Sequence, residues 1–585
     1  MRILGLSSFK HDTAAALLED GMIKSAIEND KLARSRTRGL PRAAIRSCLE
    51  GTGAGWEAID MVAVATRPFQ GWARKSFLRT KLATVAPVAS AYYEVTEISV
   101  LARELNDLRV LRRETGGGRN KIVSFNHQLC HAASAFFSSP FEQSLIVVMD
   151  EDGDGNSALL AVGQGTRIRV VRTIAFPHSL AWLYSQITDL IGFRPQQDEH
   201  KTQWLSLEGE PQFKDLFLEM LSAGGRRYPR LDYSFFNRGL AGKIAFSAKF
   251  YRSTGLSQDP SRIEEEQRRV LASSVQAACT EVITRLVEDL RRRENLQDVC
   301  FAGGLFQNML LVASLERTLG MNQVFVPVAP GNAGTSLGAA YLGWHRTLRK
   351  PRAKAVSTSY WGPKFSSQQT KDVLDNSKSR YALQTTVEKK LDAAVQLLLA
   401  GKIVGWFQGS AEFGPRALGN RSVLASPWAP YVKENLNDFI KHREWFRPFA
   451  VSVPEEDSAR YFDASRQCQS MNSLARVRPG SECLPEGFLL PGNQVRLHVV
   501  ERCSNPLFWG LLKRFGEVAS APMLLNTSFN LFGEPLVVTP RDAIRSYFCS
   551  GIDALVIENF VLTKSPIARG LAVNVRPNAS VVPGA

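Results

Sequence analysis

Two passages of strand, glycine turn and helix, one soon after the other, constrain this chain more than any other feature. Val299–Ala302 is apolar and runs into Gly303-Gly304, and Val324–Val328 is apolar and runs into Pro330-Gly331-Asn332-Ala333-Gly334. Short apolar runs closed by glycine read as buried strands. A strand feeding a helix through a glycine turn is the unit of an α/β fold, with helix N-termini facing a ligand cleft. A long helix precedes both. Ser261 and Glu264 have the spacing of a capping box that opens it. Val275, Ala278, Val282, Ile283, Leu286, Val287 and Leu290 keep helical spacing, and Arg291–Arg293 suit its negative C-terminal pole.

A longer-range echo points to duplication. Ile3–Leu6, the polar turn Ser7–Asp12 and Ala14–Leu18 read as strand, turn, strand. So do Leu145–Met149, the acidic turn Asp150–Gly155 and Ala158–Val162. Two such hairpins are what a duplicated phosphate-gripping fold shows. The 585 residues suit several domains. The basic, proline-containing stretch 347–358 reads as a linker. The expected division is 1–346, a linker over 347–360, a second α/β domain over 361–570, and a loosely held tail over 571–585.

Composition removes several classes. With 44% hydrophobic and 22% charged residues the chain is globular. Its 8 cysteines include no C-x-x-C pair, which excludes a zinc ribbon or disulfide scaffold and fits a reducing, cytoplasmic setting. Lys10, His11 and Asp12 break the N-terminal apolar run, so it does not read as a signal peptide. The uncharged stretch Leu82 to Tyr93 contains Pro87 and is too short to cross a bilayer, so no membrane partner is expected. The net charge is +16, but it is scattered. It favours anionic ligands and permits nucleic acid, which is not the expected partner.

Two constellations carry chemistry. His127 and His131 are four apart, which puts both rings on one helix face. Such a pair either shares a metal or is a satisfied pair of helix histidines. Asp150, at the end of a strand, would complete an N/N/O set suited to Zn²⁺ or Fe²⁺. Further on, Arg416, Arg421, Lys441, Arg443 and Arg447 crowd one span with Gly409, Gly414 and Gly419. Guanidinium forks beside glycines suit phosphate or carboxylate, against the alternative of a solvated basic face. LLNTSFN (524–530) adds Asn526, Thr527, Ser528 and Asn530 after an apolar strand.

GWFQGSAEFGPRALGNRS, REWFRPFA and LLNTSFNLFGEPLVVTP, supported by HQLCHAASAFFSSPF and FAGGLFQN, together resemble the NodU/CmcH-type O-carbamoyltransferases over nearly the whole chain. The resemblance implies an actin/sugar-kinase-like N-terminal domain and a YrdC-like C-terminal domain. It implies that the second makes carbamoyl adenylate from carbamoyl phosphate and ATP (with Mg²⁺), and that the first, with a divalent metal, Fe²⁺ or Zn²⁺, passes the carbamoyl group to a hydroxyl-bearing acceptor. Matched by motif, His127, His131, Asp150 and Asn332 are the metal ligands and His11 the general base. Arg416, Lys441, Arg447, Arg496, Asn526 and Ser528 are the carbamoyl-phosphate and nucleotide site, with Gly303, Gly304 and Asn308 of FAGGLFQN on the nucleotide side. Apart from those three, every matched anion-site residue follows the linker, so the second half is expected to carry activation by itself.

The chain departs from the family pattern in places. PGNAG puts Asn332 where an aspartate is usual. KTQWLSLEG (201–209) replaces a KVMGLAPYG-like segment, LPGNQVRLH (490–498) a HVDGTARVQ-like one, and NDKLAR (29–34) an EERFSR-like one. The expected partners are carbamoyl phosphate, ATP and the acceptor, with a homodimer left open. A tRNA threonylcarbamoyl-type enzyme and a degenerate, non-catalytic paralogue are the alternatives.

Overall fold

The computed structural model describes residues 1–7, 11–70, 87–116, 121–221, 228–236, 246–353, 358–481 and 484–564. The tail expected over 571–585 and part of the Leu82 to Tyr93 stretch lie outside them. The described chain is mixed α/β and carries three sheets.

The first two sheets share one plan. In the first, Arg2–Ser7, Ala14–Glu19 and Met22–Glu28 form an antiparallel meander, and Met61–Val64 and Lys121–Ser124 extend it in parallel from Arg2–Ser7. In the second, Gln143–Gly153, Asn156–Gln164 and Arg167–Ala175 form the meander, and Val299–Ala302 and Val324–Phe325 extend it in parallel from Gln143–Gly153. The two expected hairpins are therefore present, each between the first and second strands of its sheet. Helices His127–Ser138 and Thr335–Leu342 fill the space between the sheets. Phe136 and Ala339 meet Ile3 and Met61 of one sheet and Ile146 and Val148 of the other in one core cluster.

The long helix, Glu265–Glu294, buries the expected face but starts later than the spacing of Ser261 and Glu264 implies. Asp259 accepts hydrogen bonds from both the amide and the hydroxyl of Ser261, drawing it into a separate turn, Pro260–Arg262. Glu264 becomes the N-cap instead, in a capping box with Gln267. It is the one described helix long and apolar enough to cross a membrane, and most of that apolar stretch is packed into the core.

The strand expected over 324–328 pairs only at Val324 and Phe325. Beyond them the backbone turns to side chains of the second half. Val326 donates to Gln467 Oε1 at 3.1 Å, and Asn472 Nδ2 donates to the carbonyl of Pro327 at 3.0 Å.

The third sheet has ten strands. Its centre runs Val404–Phe407, Arg421–Ala425, Leu524–Ser528, Ala450–Pro454, Gln494–Val500 in spatial order. The segment leading into it is held to the first half. Arg352 donates to the carbonyls of Phe136, Ser139 and Phe141 at the end of helix His127–Ser138, and the carbonyl of Trp361 accepts from the amide of Ala26 at 3.0 Å.

Candidate active site

His127 opens its helix, and the end that carries it is fixed from two sides. Asn126 caps the helix by accepting from Leu129 N. Asp154, in the turn after Asp150, accepts from the amides of His127 (2.8 Å) and Arg67 (3.1 Å). His131 lies one turn further on. Asp150 stands on the neighbouring strand, with Oδ2 at 3.3 Å from His127 Nε2 and 3.6 Å from His131 Nε2. The two Nε2 atoms are 3.2 Å apart. All three side chains are buried, and their ligand atoms lie within 4.8 Å of one another. Burial alone would raise the Asp150 carboxyl, but the hydrogen bonds and charges of both histidines hold it well below the usual carboxylate range. Burial lowers His131 despite Asp150.

Glycines make this convergence possible. A Cβ on Gly153 would sit 2.2 Å from His127 Cδ2. Gly303 has φ +102°, and a Cβ there would lie 2.0 Å from the Met149 carbonyl oxygen. Gly303 N donates to the Pro330 carbonyl at 2.8 Å, which ties the two glycine turns together beside Asp150. Gly304 N donates to Asp150 Oδ1 at 3.4 Å. Asn332 follows in the second turn. Its Nδ2 donates to the His11 carbonyl at 3.4 Å, and its Oδ1 is buried with no hydrogen-bond partner among the described residues. His11 is half-buried, with Nδ1 at 2.9 Å from Asp12 Oδ2. Asn308 lies apart from this convergence. It caps helix Met309–Leu319 by accepting from Leu311 N, and its Nδ2 donates to Gln276 Oε1 at 2.7 Å.

The second convergence is cationic and lies at the seam between the halves. Arg416, Arg443 and Arg496 are half-buried, and among the described residues none of them pairs with a carboxylate. Buried nitrogens Arg416 Nε, Arg443 Nη2 and Arg496 Nε have no acceptor there. Burial and the repulsion of Arg447 bring Arg416 down to about 10. Burial pushes Arg443 down to about 9 with Arg447 adding to it, and drives Arg496 well below its usual range with Arg416, Arg443 and Arg447 adding to it. Arg447 meets Glu444 at 3.5 Å.

Asn526 lies across Ala450 from Arg496 in the third sheet. Its Nδ2 donates to Ser452 Oγ at 3.0 Å, and its Oδ1 is buried with no partner among the described residues. Lys441 is spent on the loop that carries Ser528, donating to the Ser528 carbonyl and to Asn530 Oδ1 (2.9 Å). Arg421, which the sequence groups with these arginines, belongs elsewhere. It donates to the carbonyls of Gln408 and Gly409 and lies over the Phe407 ring, fixing the base of the loop.

The expectation that the second half builds this site by itself needs correction, because the first half contributes. Arg416 Nη2 donates to the Gln307 carbonyl at 3.0 Å. His200 is near enough to Arg447 and Arg416 that, on top of its burial, their charges hold it down to about 3. Lys201 pairs with Glu444 at 2.7 Å. The seam is closed elsewhere by Lys31, whose Nζ meets Glu28 at 2.9 Å and the carbonyls of Glu412 and Gly414, and by Arg34, which pairs with Glu534. The sequence signalled Lys201 only as part of a divergent segment, and it did not single out His200.

The family model described as Carbamoyltransferase N-terminus matches residues 2–341, and that described as Carbamoyltransferase C-terminus matches residues 395–564. The chain belongs to the carbamoyltransferase family. It is therefore a transferase, as the sequence resemblance implied. This carbamoyltransferase is 34% identical to an uncharacterized protein of Synechocystis sp., over 96% of this chain and 97% of that one. It is 31% identical to the nodulation protein NolNO of Sinorhizobium fredii, over 95% of this chain and 80% of that one. It is also 29% identical to the 3'-hydroxymethylcephem-O-carbamoyltransferase of Amycolatopsis lactamdurans, over 42% of this chain and 45% of that one.

Proposed function

We propose that this carbamoyltransferase is an ATP-dependent, cytoplasmic O-carbamoyltransferase that works in two steps at two sites. The observation that carries the reading is the set of recessed arginines, Arg416, Arg443 and Arg496, none of which forms an ion pair with a carboxylate among the described residues. Unpaired cations in a recess cost stability unless a ligand supplies the opposite charge. Carbamoyl phosphate and the phosphates of Mg-ATP supply it. Overall, carbamoyl phosphate, ATP and water give carbamoyl adenylate, phosphate and pyrophosphate. The arginines and Arg447 hold the phosphoryl oxygens and stabilise the charge that develops on them. Asn526, with its unpartnered Oδ1, orients the uncharged end of the donor.

Transfer takes place beside His11. The Nδ1 hydrogen bond to Asp12 fixes its ring and stabilises the imidazolium that forms when Nε2 takes the proton of the acceptor hydroxyl. The hydroxyl oxygen bonds to the carbamoyl carbon, the bond from that carbon to the phosphate oxygen breaks, and AMP leaves with the electron pair. The donor set fits a divalent Fe²⁺ or Zn²⁺: His127, His131 and Asp150 converge, and the orphaned Asn332 Oδ1 adds a neutral oxygen. When bound, the ion supplies a Lewis acid that polarises the carbamoyl carbonyl. The acceptor is a small molecule or sugar bearing a hydroxyl.

The first half-reaction is tested by ATP–pyrophosphate exchange. We expect exchange that depends on carbamoyl phosphate in the wild type and its loss in Arg496→Ala. Exchange that ignores carbamoyl phosphate, or that survives the substitution, removes the proposal.

A further inference from the structure

We infer that Lys201, on the first half, is a positioning residue for the anion site: by engaging Glu444 it keeps Arg447 available to the bound anion. This rests on reading the arginine cluster as an anion site. The helix that carries Lys201, Glu199–Leu205, is fixed to both halves. Thr202 Oγ1 lies 2.8 Å from Thr188 Oγ1, and Gln203 Oε1 accepts from Met309 N at 2.8 Å. Trp204 packs in one cluster with Met309 and Ala313 of the first half and Leu418 and Ala450 of the second. Leu418 and Ala450 are near neighbours in sequence of Arg416 and Arg447. The helix therefore delivers Lys201 to a fixed place beside the arginines.

At that place one carboxylate serves two cations unequally. Glu444 Oε1 is 2.7 Å from Lys201 Nζ, while Oε2 is 3.5 Å from Arg447 Nη1, at the limit of a hydrogen bond. Lys201 is itself held by Asp198 at 3.3 Å and over the Phe193 ring at 5.3 Å. Lys201, Glu444 and Arg447 have side chains 16%, 25% and 24% exposed, so solvent screens them only in part. Glu444 also sits three residues before Arg447, and its carbonyl accepts the Arg447 amide at 3.2 Å. Without Lys201 the carboxylate has one close cation left. A bidentate fork with Arg447 is then the favourable geometry, and it occupies the donors that a phosphoryl group needs. Lys201 draws the carboxylate away and leaves its contact with Arg447 long, at 3.5 Å.

The test is binding of inorganic phosphate to the full chain by calorimetry. Lys201→Met keeps an aliphatic stem for Phe193 and should weaken phosphate about tenfold, the worth of one charge-assisted contact. Lys201→Arg should bind as the wild type does. The deciding variant is Lys201→Met combined with Glu444→Gln. With Glu444 no longer able to capture Arg447, phosphate affinity should return to that of Glu444→Gln alone. A lysine that only braces the seam predicts additive losses instead. Unchanged binding in Lys201→Met, or additivity in the double variant, overturns the inference. If Arg496→Ala abolishes phosphate binding while Lys201→Met leaves it intact, the anion site stands and only the role of Lys201 falls. If the wild type binds no phosphate, both fall.

Discussion

In the first half, His127, His131 and Asp150 are buried together, and the negative charge of Asp150 meets both imidazoles within 3.6 Å. At the seam, Arg416, Arg443 and Arg496 are recessed together; Arg447 is the charge that acts on Arg416, and Arg416, Arg443 and Arg447 act on Arg496. The first cluster balances itself, and its carboxylate is driven toward the ionised form. The second is unbalanced, and every member is driven away from its charged form. On the proposed reading, the difference separates the site that takes an anion from substrate from the one that does not. A cluster that already holds its own carboxylate suits a cation, whereas one with only guanidinium groups suits phosphate.

The largest expected effect separates the two sites by function. His127→Ala should lower carbamoyl transfer below about a thousandth of the wild-type rate, as loss of a group that serves charge stabilisation at the reacting carbonyl does. It should leave carbamoyl-phosphate-dependent ATP–pyrophosphate exchange nearly intact. Transfer at the wild-type rate would make the cluster a structural histidine pair.

Arg447→Ala should do the reverse, acting on exchange. It should remove about 2–4 kcal/mol of transition-state stabilisation, as loss of an oxyanion contact does. Equal activity in exchange assays of variant and wild type would place Arg447 outside the chemistry.

The seam also makes a prediction about pH. His498, 1% exposed, is held down to about 3 by burial alone, and His200 is held down to about 3 by burial together with Arg447 and Arg416. The unfolded chain takes up these protons below about pH 6.5 while the folded chain does not. Stability should therefore be level above that pH and fall as pH drops from about 6.5 toward 3, His498 contributing up to about 1.4 kcal/mol per pH unit. Urea unfolding of the wild type and His498→Gln at several pH values reads this slope. Added phosphate should soften the His200 share and leave the His498 share unchanged, because only His200 is influenced by the arginines. Identical slopes in the two proteins would contradict the assignment.

The smallest effect belongs to Asn332→Asp. A second carboxylate beside Asp150 should tighten Fe²⁺ or Zn²⁺ about tenfold. Metal content after dialysis of both proteins measures it. Equal occupancy would mean that the PGNAG turn does not reach the ion.

Local sequence determined much of this protein. Hairpins at 2–19 and 143–164 were legible because in each a short polar turn separates two apolar runs. The His127–His131 pair was legible because a spacing of four fixes a helix face. The apolar face of Glu265–Glu294 was legible for the same reason. The first cap of that helix was not, because Asp259 competes for Ser261 with a hydrogen bond the pattern does not encode. The strand after Val324 was cut short by Gln467 and Asn472, side chains that arrive from the other half.

The arginines could be counted in the sequence, but their sorting could not. Only the tertiary structure sends Arg421 to the carbonyls of its own loop and leaves Arg443 near Arg447 and Arg496, and only it brings His200, Lys201 and Gln307 across the seam. The physical reason is range. Helix and strand periodicity act over a few residues, whereas the charge state and availability of a recessed arginine depend on every group that packing brings near it, however distant along the chain.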